Sequence, residues 1–181
     1  MGMPISMYYT AEMVRALPDD GNKYETVHGE LLVTPAPRPM HEIVVTRLAL
    51  KVGSYLERHP VGFPFTHGEI SWSEDTLVSP DLFVVELAQA RTLQWSAMKH
   101  LLLAAEVLSP SNARQDRFTK RRLYQEAGIP LYWLLDADAR VVEVWSPESV
   151  FPVTENEAIA WHPAGAEEAL VIQLAELFGP L

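Results

Sequence analysis

Apolar residues in this chain recur at helical spacing in some stretches and form short unbroken runs in others. The spacing over residues 41–58 predicts an amphipathic helix that ends before Pro60. Three stretches then predict strands, at residues 63–72, 82–85 and 101–108. The last of these is almost entirely apolar, which is typical of a central strand covered on both faces.

The second half of the chain predicts one more helix and a strand pair. Residues 114–127 form a helical pattern that ends at Gly128, and residues 131–135 predict another buried strand. Its hairpin partner is expected at residues 141–145, across a short polar turn.

Shorter elements flank this core: a helix from Thr10 to Leu17, a hairpin over residues 24–33 and a C-terminal strand at 169–172. The core order is helix, three strands, helix and strand. This order predicts an α/β fold with a mixed sheet, helices packed on it, and an added N-terminal hairpin and C-terminal strand. At 181 residues, the chain is expected to form a single domain over residues 1–181.

Composition narrows the class of protein. A hydrophobic content of 48% and a charged content of 21% are typical of soluble globular domains. There is no cysteine, which excludes disulfides and thiolate metal sites and makes the cytoplasm the expected compartment. No membrane partner is expected, because no apolar run reaches the roughly 18 residues that span a bilayer. Gly2 and Ser6 match a myristoylation pattern, but no basic segment follows to strengthen it.

The net charge of -10 is unevenly distributed. Residues 123–181 hold ten acidic residues and one basic residue, Arg140, whereas residues 111–122 hold five basic residues and only Asp116 as an acid. Non-specific binding to phosphates depends on local cationic density, so the net charge does not exclude a nucleic-acid partner. The basic residues that we expect to contact nucleic acid are Arg114, Arg117, Arg121 and Arg122. A solvated helix face is the alternative explanation.

Two carboxylates stand at the ends of predicted strands. Asp81 precedes the strand at 82–85, and Glu106 lies near the end of the strand at 101–108. Burying an unpaired charge is costly, and a divalent cation such as Mg²⁺ is the partner that best removes that cost. We expect Asp81, Glu106 and the backbone carbonyl of Val107 to hold Mg²⁺, with Mn²⁺ able to replace it.

Asp116 and Lys120 fall on the apolar stripe of the helix at 114–127, while Arg121 and Arg122 fall outside it. One explanation is a simple ion pair between the two stripe residues at i,i+4 spacing. The other is that Lys120 reaches Glu106 and stabilises negative charge during catalysis. The sequence leaves both open.

Two further residues are weaker candidates. Glu30, in the N-terminal hairpin, is expected either to complete the acidic cluster or to be an exposed turn residue. His41, at the start of the long helix, is expected either to contact phosphate or to belong to the helix cap.

Together these residues resemble the Uma2 family, which is assigned to the PD-(D/E)XK nuclease superfamily. The resemblance covers residues 20–178. It implies a restriction-endonuclease-like core, Mg²⁺-dependent cleavage of DNA, the motif aspartate at Asp81 and the second acid at Glu106. The residues that carry the resemblance are Tyr24-Glu25, Gly29-Glu30-Leu31, His41, Pro80-Asp81-Leu82, Glu106 to Ser111, Asp116, Lys120, Tyr124, Gly128-Ile129-Pro130, Tyr132-Trp133 and Asp136.

The chain departs from the superfamily pattern at Leu108, where that pattern has lysine. Lys120, on the following helix, is the expected replacement. The sequence therefore predicts a metal-dependent DNA endonuclease, expected to act as a homodimer because cutting both strands favours two active sites. The alternatives are a non-catalytic DNA-binding or assembly module with the same fold, and a nuclease that acts on RNA.

Overall fold

The structure is a computed structural model that describes residues 7–181; Gly2 and Ser6, with their myristoylation pattern, lie outside these residues. In chain order its elements are α1 (Ala11–Arg15), β1 (Lys23–Val27), β2 (Glu30–Thr34), α2 (Pro39–Arg58), β3 (Gly62–Phe65), β4 (Ile70–Ser73), β5 (Thr76–Val78), β6 (Leu82–Glu86), α3 (Leu87–Ala90), a 3₁₀ turn (Trp95–Ala97), β7 (Leu101–Val107), a π-helical turn (Gln115–Lys120), α4 (Arg121–Glu126), β8 (Tyr132–Asp136), β9 (Val141–Trp145), β10 (Val153–Glu155), β11 (Ala158–Trp161), β12 (Leu170–Gln173) and α5 (Leu174–Phe178).

A mixed six-stranded sheet, in the order β10-β9-β8-β7-β6-β3, forms the centre of the molecule. Strand β7 runs parallel to β8 and antiparallel to β6. The pairing of Leu82 with Ala105 places the start of β6 beside the end of β7. This register brings Asp81 next to Glu106, although 24 residues of chain lie between them.

Side chains alternate between the two faces of this sheet, and each face is covered. On one face, Leu103, Ala105 and Val107 pack against α2, β12 and α5. On the other face, Ala104 and the neighbouring strands pack against α4 and the N-terminal hairpin. Glu106 alternates with Ala105 and Val107, so its side chain projects to the α4 side.

The N-terminal hairpin belongs to a second sheet, in the order β2-β1-β5-β4. Strand β1 pairs with β2 from Lys23 opposite Thr34 to Val27 opposite Glu30, and it contacts β5 at Thr26 and Leu77. Because residues two apart on a strand point to the same side, β1 directs Lys23 and Glu25 together.

The predicted helix at 114–127 is confirmed, but its first part is a π-helical turn that continues into α4. Asp116 and Lys120 are buried in this turn, on the stripe that faces the sheet. Gly128, with φ of +68°, ends the helix in a conformation that side-chain-bearing residues seldom adopt.

Most of the expected core is present, and the α/β fold is confirmed. The single strand predicted at 63–72 is wrong: it is divided into β3 and β4, which belong to different sheets. The extended conformation is interrupted around Gly68, which lies between β3 and β4. A Cβ atom at this position would lie 2.4 Å from the ring of Trp95. Strands β5, β10 and β11 were not predicted; β5 and β10 have only three residues each, which is too few to show a period.

Candidate active site

Asp81 lies at the floor of a cleft between the hairpin sheet and the start of α2. The cleft has a volume of about 310 Å³, and Lys23, His41, Ser79 and Asp81 are among the residues that line it. Glu106 is fully buried beneath this surface. The two strand ends therefore bring both acids to one place, one at the surface of the cleft and one below it.

Each oxygen of Asp81 has a different partner. Oδ2 accepts hydrogen bonds from the backbone N–H of Val107 at 2.8 Å and from Nε2 of His41 at 3.0 Å. Oδ1 accepts a hydrogen bond from Nζ of Lys23 at 3.1 Å. Burial would raise the pKa of Asp81, but the Lys23 ammonium and the His41 contact outweigh it and hold the pKa well below its usual range. Asp81 is ionised throughout the ordinary pH range.

Glu106 is held in a similar way through one of its oxygens. Oε1 accepts hydrogen bonds from Nζ of Lys120 at 3.0 Å and from the hydroxyl of Tyr124 at 2.9 Å. Oε2 is buried and has no hydrogen-bond partner, and Nζ of Lys23 lies 3.9 Å from it. Burial raises the pKa of Glu106 to about 8, despite the opposing Lys120 ammonium. A carboxylate oxygen left without a partner in the interior is uncommon and needs an explanation.

Lys120 lies in a buried cage of three carboxylates. Its Nζ is 2.7 Å from Oε2 of Glu25, 3.0 Å from Oε1 of Glu106 and 3.2 Å from Oδ1 of Asp116. The Glu25 and Asp116 contacts are ion pairs without hydrogen-bond geometry. Burial would lower the pKa of Lys120, but the surrounding carboxylates, Glu106 first, raise it well above its usual value. Lys120 therefore contacts Asp116 and Glu106 at once, so the two arrangements expected for its side chain occur together. Its part in catalysis stays a prediction.

Two members of the site, Glu25 and Lys23, were not assigned a role from the sequence. Glu25 is 1% exposed and accepts a hydrogen bond from the N–H of Ser79 at 2.7 Å. Lys23 is 28% exposed and donates to the Ser79 carbonyl at 3.1 Å as well as to Asp81. One feature of the sequence could have indicated them: Lys23 and Glu25 are charged residues two positions apart on a strand, and therefore lie on the same face of that strand.

Glu30 is not part of this cluster. It is exposed at the turn end of the hairpin and lines a separate groove with Arg121 and Arg122. The hairpin carboxylate that reaches the site is Glu25, because it lies nearer the opposite end of the hairpin, on the β1 face that meets the central sheet. His41 does reach the site, where it contacts Asp81.

The four arginines differ in their surroundings. Arg114 and Arg122 are exposed. Arg117 pairs with Glu143 at 2.8 Å and Asp136 at 3.3 Å. Arg121 lies over the ring of Trp145, with Cζ 4.7 Å from the centroid. Two of the four arginines that were expected to contact nucleic acid, Arg117 and Arg121, thus already interact with other side chains of the protein.

Among the residues that the structure describes, two carboxylate oxygens of the site, and no more, are placed to bind one Mg²⁺ ion. Within residues 7–181, no group of three or more histidine and carboxylate side chains is arranged to hold a metal ion. Mg²⁺ in proteins is commonly held by one or two carboxylates and completes its shell with water and substrate phosphate. Asp81 Oδ1 and the unpartnered Glu106 Oε2 provide two such oxygens around one cation position, which Lys23 Nζ occupies here.

Comparison with known proteins agrees with the fold. A crystal structure from Anabaena variabilis, described as a putative nuclease belonging to DUF820, superposes with a TM-score of 0.76 at 21% sequence identity. The match covers 94% of this chain and 97% of that one. No curated protein matches the chain. The Uma2 family model, described as "Putative restriction endonuclease", matches residues 11–170. The chain therefore belongs to the Uma2 family.

Proposed function

We propose that this protein is a divalent-metal-dependent endonuclease that hydrolyses phosphodiester bonds in DNA. One observation carries the proposal: Asp81 and Glu106 each have one oxygen held by the protein and the other directed at a shared cation position beneath a cleft. Membership of the Uma2 family supports a nuclease activity. No helix in residues 7–181 has both the length and the apolar character needed to cross a membrane.

A Mg²⁺ ion bound there would supply Lewis-acid activation of water and neutralise charge on the phosphate. The protein groups have separate tasks in this proposal. The Val107 N–H and His41 fix the orientation of Asp81, and the Tyr124 hydroxyl fixes that of Glu106. A backbone carbonyl, at Val107 as the sequence suggests, can add a further oxygen ligand.

Lys120 is better suited to positioning than to direct contact with substrate. It is 1% exposed and is surrounded by Glu25, Glu106 and Asp116. Its ammonium group stabilises the ionised form of Glu106 and leaves Oε2 of that residue directed towards Lys23. The role of Lys120 in catalysis would then be exerted through the geometry and charge of Glu106.

The direct test is cleavage of plasmid DNA with Mg²⁺ or Mn²⁺, with and without a chelator. Asp81→Asn and Glu106→Gln should each abolish cleavage while keeping side-chain size. Asp138→Asn is the matched control, because Asp138 is exposed on the turn between β8 and β9. Cleavage by Asp81→Asn at the rate of this control would contradict the site assignment.

The same assay separates the alternatives. Degradation of RNA with DNA left intact would show an RNA nuclease. Binding of DNA without any cleavage or metal uptake would show a non-catalytic module. The proposal also includes a homodimer in solution, which sedimentation of the purified protein will test; a monomer that makes double-strand breaks would contradict it.

A further inference from the structure

The ammonium group of Lys23 stands where a metal ion is expected. Three oxygens surround it: Asp81 Oδ1 at 3.1 Å, the Ser79 carbonyl at 3.1 Å and Glu106 Oε2 at 3.9 Å. They come from two places in the chain: the segment between β5 and β6, which holds Ser79 and Asp81, and the end of β7, which holds Glu106. Carboxylate and carbonyl oxygens are also the ligands that hard divalent cations prefer.

The remaining oxygens of the two acids are already used. Asp81 Oδ2 is held by the Val107 N–H and His41, and Glu106 Oε1 is held by Lys120 and Tyr124. Only the two oxygens that face the Lys23 ammonium are therefore available to a metal ion. A cation cannot bind both without occupying the space of that ammonium group.

Electrostatics makes the two cations mutually exclusive. A monovalent and a divalent charge a few ångströms apart repel strongly in a partly buried site. Lys23 is anchored on β1, yet its side chain is 28% exposed and lines the cleft. It therefore has open space into which it can turn.

We propose that Lys23 is an internal counter-ion that occupies the metal position and leaves it when a divalent cation binds to Asp81 Oδ1, Glu106 Oε2 and the Ser79 carbonyl. This inference rests on the proposed function, and it assigns two new participants, Lys23 and the Ser79 carbonyl. Without metal, the ammonium neutralises the acids. With metal, it turns into the cleft, where a phosphate group would lie.

The test measures metal affinity in the absence of nucleic acid. Lys23→Met removes the charge at similar length, and Lys23→Arg keeps it. Lys51→Met is the control, because the Lys51 side chain is 41% exposed and pairs with Glu176 away from the cleft. Mn²⁺ binding is followed by calorimetry in alkaline buffer, so that the carboxylates are ionised in every variant. Lys23→Met should bind Mn²⁺ at least about tenfold more tightly than wild type, since it no longer competes with the metal. Lys23→Arg and Lys51→Met should stay near wild type.

The sign of the change decides between explanations. A counter-ion that competes with metal predicts tighter binding after its removal, whereas a residue that merely positions Asp81 predicts weaker binding. Equal or weaker binding by Lys23→Met, with DNA cleavage by wild type intact, would overturn this inference and leave the proposed function standing. No Asp81-dependent Mn²⁺ binding in wild type or Lys23→Met would overturn both.

A crystal soaked in Mn²⁺ gives a second readout that does not depend on any variant folding. The expected result is anomalous density between Asp81 and Glu106, with Lys23 Nζ turned out of contact with Asp81. Bound Mn²⁺ with the Lys23–Asp81 contact retained would refute displacement.

Discussion

Replacing Lys120 by methionine removes the one ammonium group that lies among three buried carboxylates. Methionine keeps the length and the apolar part of the side chain, so the main change is the loss of charge. Glu25, Glu106 and Asp116 are each at most 1% exposed and would face one another without this cation. Lys23 is the remaining cation close to them, and it contacts Asp81 more closely than Glu106.

The expected cost follows from the geometry. Removing one partner of a buried ion pair destabilises a protein by about 3–5 kcal/mol, because it leaves an uncompensated charge in the interior. For a protein of 150–250 residues, 1 kcal/mol shifts the melting temperature by about 2–4 °C. We therefore predict that Lys120→Met lowers the melting temperature at neutral pH by roughly 6–20 °C.

Thermal unfolding followed by circular dichroism measures this shift, with Lys51→Met as the control. Lys51 also pairs with a carboxylate, Glu176 at 2.9 Å, but both side chains are more than 40% exposed. Exposed pairs contribute about 0–1 kcal/mol, so the control should melt within about 4 °C of wild type. Similar melting temperatures for the two variants would refute the reasoning that the Lys120 cage is a buried, charge-compensated site.

Three further predictions concern titration, DNA binding and hydrogen bonding. Because burial raises the pKa of Glu106 to about 8, the folded state keeps a proton that the unfolded state loses near pH 4.5. The contribution of Glu106 to stability should therefore fall as pH rises from 4.5 towards 8. The melting temperature of Glu106→Gln should decline less steeply over that range than the melting temperature of wild type. Parallel curves of melting temperature against pH for the two proteins would contradict the raised pKa. Arg122→Ala should weaken DNA binding and reduce the slope of log affinity against log salt concentration by about 1, because Arg122 is exposed. Arg117→Ala should change this slope less, because Arg117 is already paired with Glu143 and Asp136. Binding isotherms over a salt series test this, and equal slopes for the two variants would contradict it. Tyr124→Phe removes the hydroxyl that donates to Glu106 Oε1 and should destabilise the protein by about 1–3 kcal/mol in chemical denaturation; no loss would show that this hydrogen bond does not hold Glu106.

The sequence was informative wherever a pattern was long or chemically unusual. Apolar spacing predicted α2, the run at 101–108 predicted the central strand β7, and acids beside apolar strands singled out Asp81 and Glu106. The inward position of Lys120 followed from helical geometry and held despite the π-helical turn. These features depend on local periodicity and on the cost of burying charge, which are both readable from one chain.

Only the tertiary structure decided which groups share a site. The pairing of β6 with β7 places Asp81 beside Glu106, and the hairpin sheet brings Lys23 and Glu25 to them. Strand register and sheet-on-sheet packing set these contacts between residues distant in sequence, and neither leaves a local signal. For the same reason the sequence suggested Glu30 instead of Glu25. Both carboxylates project from the same face of one hairpin, since Glu30 pairs with Val27. Glu30, however, lies at the exposed turn end, whereas Glu25 lies further along β1, where it contacts Lys120.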